Sequence, residues 1–147
     1  MHPYPHRYPV RASAQPQGNV MLTSSGLPNL TSAAPAEFDG PGDQWSPETL
    51  LVGAAADCFI LSFRAVANAS KLAWNALSCD VEGVLDRVEG VTCFTEMIVR
   101  ARLVVPAGTD EERARRLLEK ADKVCLIMNS LKLTPQLVAD VVVEAGH

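Results

Sequence analysis

From Thr49 to about Leu72 the chain is Leu, Val, Ala, Phe and Ile on almost every side, interrupted by Asp57, Arg64 and a few small polar side chains. A helix that is apolar all round has to be covered on most of its surface, so whatever this chain folds into must be built around that segment. Its start is well marked. Ser46-Pro47-Glu48 supplies an N-cap serine, a proline at the first helical position and a carboxylate where the helix dipole favours negative charge. The run is long enough to raise the question of a membrane span. Gly53, Asp57, Ser62 and Arg64 interrupt it, so a central core helix is expected and no membrane.

The segments after the helix have the period of strands. Leu77, Cys79, Val81, Gly83 and Leu85 alternate with Ser78, Asp80, Glu82 and Asp86, and Val91, Cys93, Met97, Val99, Ala101, Leu103 and Val105 alternate with polar residues such as Thr92, Glu96, Arg100 and Arg102. With Glu89-Gly90 between them, they predict a long antiparallel hairpin with one wet face and one buried face, the latter carrying Cys79 and Cys93. Pro106-Ala107-Gly108 ends the second strand. Thr109-Asp110-Glu111-Glu112 is a capping box opening an amphipathic helix whose stripe runs Ala114, Leu117, Leu118, Ala121, Val124 and Cys125. Asn129-Ser130 is expected to break that helix, and Leu137 to Glu144 to form a last strand.

At the N-terminal end, Tyr8 to Ala14 and Asn19 to Ser24 flank the turn residues Gln15-Pro16-Gln17-Gly18 and predict a hairpin, while Pro28 to Ser46 is expected to be loop. The order predicts an α+β fold with antiparallel sheets and a buried central helix, one domain over residues 1–147. A chain of 147 residues has little sheet with which to cover so apolar a helix on every side. Two copies packed together cover it more readily, so an obligate homodimer is expected.

Charge narrows the function classes. A net charge of −4 gives no electrostatic reason to bind nucleic acid or an anionic membrane, and neither is expected as a partner. The opening Met-His-Pro-Tyr-Pro-His-Arg-Tyr-Pro lacks the apolar core of a signal sequence, so a cytoplasmic protein with four initially reduced cysteines is expected. Metal binding is the weaker use for them. No Cys-x-x-Cys or Cys-x-x-His occurs, and His2, His6 and His147 lie at the ends. Redox chemistry or plain burial remain.

Two of those cysteines carry a resemblance. Ser46-Pro47-Glu48-Thr49-Leu50-Leu51-Val52-Gly53-Ala54-Ala55-Ala56-Asp57-Cys58-Phe59 closely resembles the first cysteine motif of the OsmC/Ohr family, and Ala121 to Leu131, containing Cys125, resembles the second. The interval of 67 positions (125 minus 58) is also similar to the family's. The resemblance implies an intertwined dimer with two interfacial sites, each a thiol peroxidase for organic hydroperoxides that needs no cofactor. It makes Cys58 the peroxidatic thiol, Cys125 the resolving thiol that closes a disulfide with it, an external dithiol the reductant, and Glu48 the carboxylate that positions an activating arginine. A thiol buried among apolar groups holds its proton, so a cation beside Cys58 is needed. The family supplies it from the N-terminal hairpin turn, where this chain has Gln15-Pro16-Gln17-Gly18 and no basic residue. Arg11, Arg7 and Arg64 are the candidates, with Arg11 foremost. Leu126 also stands where many active relatives have proline. The other class of function is a non-catalytic dimer that binds a small apolar ligand or senses oxidants.

Overall fold

The computed structural model describes residues 1–146; His147 lies outside the described residues. The fold is α+β, with two three-stranded sheets ordered β1-β2-β3 and β4-β5-β6. The chain divides into two compact units, Met1–Leu51 and Val52–His147.

In the first unit, β1 (Arg11–Ser13) and β2 (Val20–Thr23) pair antiparallel as the expected hairpin, shorter than its sequence pattern. The stretch expected to be loop is only partly so. It contains β3 (Leu30–Ser32), antiparallel to β2, and a 3₁₀ turn at Ala36–Phe38. Ser46 caps the following helix as expected. Its Oγ accepts from the Thr49 amide at 3.1 Å, and Thr49 Oγ1 returns the favour by accepting from the Ser46 amide at 2.9 Å, a reciprocal box with threonine in place of the usual glutamate.

Helix α1 runs Pro47–Ala69. It stops short of Leu72 because Lys71 turns into the left-handed region at φ 55°, letting the Leu72 amide reach the Ala67 carbonyl at 2.9 Å. This is a Schellman closure built on a lysine. Within one chain the helix buries a single stripe, Ala55, Phe59, Phe63, Val66 and Ala67, with the Phe63 ring edge-on to Trp74 at 5.4 Å. Leu61, on another side, is 52% exposed.

The second sheet holds β4 (Ala76–Val88), β5 (Val91–Val105) and β6 (Gln136–Val143). Glu89 and Gly90 both have positive φ, 51° and 80°, which is the two-residue turn that suits the twist of the long hairpin. Met97, Val99, Ala101, Leu103 and Val105 lie buried along one face of β5. On the other face Arg100 and Glu82 approach to 3.9 Å and Arg102 and Asp140 to 4.0 Å, exposed pairs that contribute little. Two details depart from the sequence pattern. Strand β6 runs parallel to β5, because the connection between them passes through a helix rather than a tight turn. Cys93 is exposed instead of buried: Val84 pairs with Glu96 and Leu85 with Phe94, so Thr95 is an extra residue that reverses the parity of everything before it in β5.

Helix α2 (Glu111–Val124) is capped by Asp110, whose carboxylate accepts from the Glu112 and Arg113 amides. Thr109, the cap expected from the sequence, instead bonds the Pro106 carbonyl at 2.7 Å. The helix also ends earlier than expected. Cys125 leaves helical geometry at ψ 106°, and a four-residue α3 (Leu126–Asn129) restarts behind it.

Candidate functional site

Helix α1 approaches the covered face of the second sheet closely. A Cβ at Gly83 would lie 2.7 Å from Val52 Cγ2 and 2.8 Å from Phe94 Cε1, so the absence of a side chain there sets the spacing between helix and strand. On that face Cys79, Val81 and Gly83 alternate with the charged residues of the wet side. Cys58 lies near the middle of α1, one residue before the fully buried Phe59.

Cys125 comes to the same place from the other side. It has no exposed surface, and burial is the main reason its thiol is pushed up to about 11. The Met128 and Ile127 amides in the first turn of α3 oppose this, and the neighbouring Cys58 adds to it by a hydrogen bond and by charge. Neither amide meets the geometry of a true capping bond. The thiols predicted to pair are therefore neighbours, and both are free.

Cys79 completes a small group of sulfurs. Half-buried, it is likewise pushed up to about 11, first by burial, then by Asp80 and then by Cys125. Cys58 has one further polar neighbour, the Ser62 hydroxyl, 3.9 Å from its sulfur and one helical turn on. Among the described residues no set of three or more His, Cys, Asp or Glu side chains is arranged to hold a metal ion.

Glu48 stands in the first turn of α1, its Oε1 buried without a hydrogen-bond partner. Arg11 lies exposed on β1 and forms no ion pair among the described residues. Arg64 is exposed on α1, six residues past Cys58 and thus about 240° around the helix from it. Two features escaped the sequence reading. Ser62 looks like any small polar residue in an apolar run. Asp122, one turn before Cys125, has a buried Oδ1 with no partner, and burial raises its carboxyl above the usual range while Lys123 pulls it down.

The family model described as OsmC-like protein matches residues 40–139, which includes both cysteine segments. The chain belongs to the OsmC-like family. "Uncharacterized protein YmaD" of Bacillus subtilis (strain 168) is 28% identical over 145 residues, covering 96% of this chain and 97% of that protein. Among solved structures, an organic hydroperoxide resistance protein OsmC of Legionella pneumophila is similar with a TM-score of 0.74 and 27% identity, over 93% of this chain and 97% of that one. An organic hydroperoxide resistance protein of Elizabethkingia anophelis shares the fold at a TM-score of 0.77 and 20% identity, over 96% and 99% of the two chains.

Proposed function

We propose that this OsmC-like protein is a thiol-dependent peroxidase that reduces organic hydroperoxides, acting in the cytoplasm as one domain over residues 1–147 and as an intertwined homodimer. The observation that supports it most is the juxtaposition of Cys58 and Cys125 as free thiols in apolar surroundings. The Cys58 thiolate attacks the terminal oxygen of ROOH, the O–O bond breaks, and the alkoxide leaves with a proton as ROH, so that Cys58 becomes a sulfenic acid. The Cys125 sulfur then attacks Cys58, forming the disulfide and releasing water. An external dithiol returns both to thiols and is itself oxidised to a disulfide. An apolar lining favours alkyl and aryl hydroperoxides over hydrogen peroxide.

Glu48 orients the arginine that stabilises the Cys58 thiolate, with Arg11 as that arginine. The unpartnered Glu48 Oε1 supports the first half, since a buried carboxylate oxygen calls for a donor. In an interfacial site the arginine facing a given carboxylate need not come from the same chain. A dimer is also supported by the exposed Leu61 on a helix already buried along its opposite stripe.

The second reading is a non-catalytic dimer that binds a small apolar ligand or senses oxidants, and the hairpin turn Gln15-Pro16-Gln17-Gly18, which carries no basic residue, favours it. The two are separated by following cumene hydroperoxide consumption with dithiothreitol, in the parent and in Cys58→Ser, with peptide mapping of the oxidised chain. The peroxidase reading expects consumption by the parent, none above background by Cys58→Ser, and a Cys58–Cys125 disulfide. Activity that survives in Cys58→Ser removes Cys58 from its role; a parent that is oxidised once and never turns over favours the sensor.

A further inference from the structure

A thiolate at Cys58 needs donors, and on its own helix the one cation, Arg64, is exposed and about 240° around from it, while the adjacent Asp57 is exposed and of the wrong sign. What does face the sulfur is a hydroxyl. Ser62 Oγ stands 3.9 Å from Cys58 Sγ. Serine inside a helix usually returns its proton to the carbonyl four residues back, which here is that of Cys58. The contact recorded for this hydroxyl is with the Cys58 sulfur instead, at a distance within the long reach of a sulfur hydrogen bond. The i, i+4 spacing on a continuous helix fixes the two side chains on the same face, so the hydroxyl is within reach of the sulfur before any peroxide arrives.

We propose that Ser62 is the hydrogen-bond donor that stabilises the Cys58 thiolate, the hydroxyl being neutral and hydrogen-bonded to sulfur in the thiol form and donating to the anion once the proton is lost. The proposal rests on the peroxidase reading for its purpose but not for its test. A donor to the charged form favours that form, and charge-assisted bonds are the stronger kind. The other titratable group facing this sulfur is Cys125, from the junction of α2 and α3. Its thiol remains protonated well above neutrality, so it adds no competing charge at neutral pH.

The test is the rate of Cys58 alkylation by iodoacetamide in the full chain, read by mass spectrometry of the Cys58 peptide from about pH 5 to about pH 10. In Ser62→Ala the midpoint of the profile is expected to rise by roughly half a unit to one unit, with the rate near neutral pH falling roughly three- to tenfold. Ser62→Thr, which keeps the hydroxyl, is expected to return the parent profile. An unchanged midpoint in Ser62→Ala overturns the proposal, as does a slower rate at every pH without a shift, which reports access alone. A Ser62→Thr chain that behaves like the alanine variant overturns it too. A parent that consumes no hydroperoxide sinks the peroxidase reading and leaves this measurement standing, because alkylation reports the thiolate alone.

Discussion

Gly83→Ala perturbs the spacing on which the site depends. The added Cβ would sit 2.7 Å from Val52 Cγ2, 2.8 Å from Phe94 Cε1 and 3.1 Å from Phe94 Cδ1, against an ordinary carbon–carbon contact of about 3.5–4.0 Å. Relief requires α1 to lift off β4, or Val52 and Phe94 to rotate, by something near 1 Å. Overpacking of this kind costs about 1–3 kcal/mol. Replacing glycine inside a strand returns about 0.5–1 kcal/mol through reduced freedom of the unfolded chain. The net is a loss of up to roughly 2.5 kcal/mol, centred near 1, or up to about 10 °C in melting temperature for a chain of this size. Thermal unfolding by circular dichroism reads the loss, and Val52→Ala in the same chain is expected to recover part of it, a non-additivity of at least about 0.5 kcal/mol. Because α1 carries Cys58, closure of the Cys58–Cys125 disulfide after one equivalent of hydroperoxide should also slow. A Gly83→Ala chain that melts with the parent and closes its disulfide at the same rate refutes the reasoning, since the helix would then not be held by this contact.

Burial makes two further predictions about pH. Asp122 has its folded carboxyl raised above the unfolded value, so the folded state keeps its proton longer; the stability linked to it is present at low pH and is lost as pH rises through the raised value. Asp122→Asn should therefore gain stability over the parent as pH climbs from acid to neutral, and a difference in denaturation midpoint that stays flat across that range contradicts the assignment. Cys79 and Cys125, raised from 9.0 to about 11, contribute stability that is complete below about pH 9 and lost towards pH 11, so Cys125→Ser should flatten the alkaline fall in stability. In the parent at mildly alkaline pH both thiols should react with iodoacetamide well after the exposed Cys93, and equal rates would rule out burial as the cause.

Much of this architecture is legible in the chain because local pattern and tertiary role agree. The alternation on either side of Glu89-Gly90, and the demand of that turn for positive φ, leave little but a hairpin. Ser46-Pro47-Glu48 announces α1 in the same way. The errors arise where one residue outweighs a pattern. Thr95 lies in a run whose composition looks regular, and its bulge moves Cys93 from the inner to the outer face. Strand β3 is too short for alternation to be seen among prolines and glycines. At Cys125 neither glycine nor proline marks the break, and Leu126, Ile127 and Met128 continue the apolar pattern as though the helix went on. That Cys58 and Cys125 would be neighbours is legible only through the resemblance of two motifs, because nothing local in α1 points to a residue so far along the chain.

That unmarked break gives the two sulfurs different mechanical surroundings. Cys58 is held by a helix that continues for many residues on both sides, and Phe59 and Phe63 fix its rotation against the core. Cys125 sits where one helix has ended and a four-residue helix has begun, with an extended ψ of 106° and no side-chain capping bond, its carbonyl accepting from the Asn129 amide at 3.0 Å. Closing a disulfide requires the two Cα atoms to reach a narrow range, about 4.4–6.8 Å, with a specific torsion about the new bond. Two sulfurs on two rigid helices would meet that condition only where the helices already stand at the right spacing. With Cys125 at a junction, the adjustment falls on backbone where one helix has already ended, and α1 keeps its position. Under the proposed peroxidase reading the cost is a resolving thiol that is buried and slow to give up its proton, tolerable because its target, a sulfenic acid at Cys58, would form directly beside it.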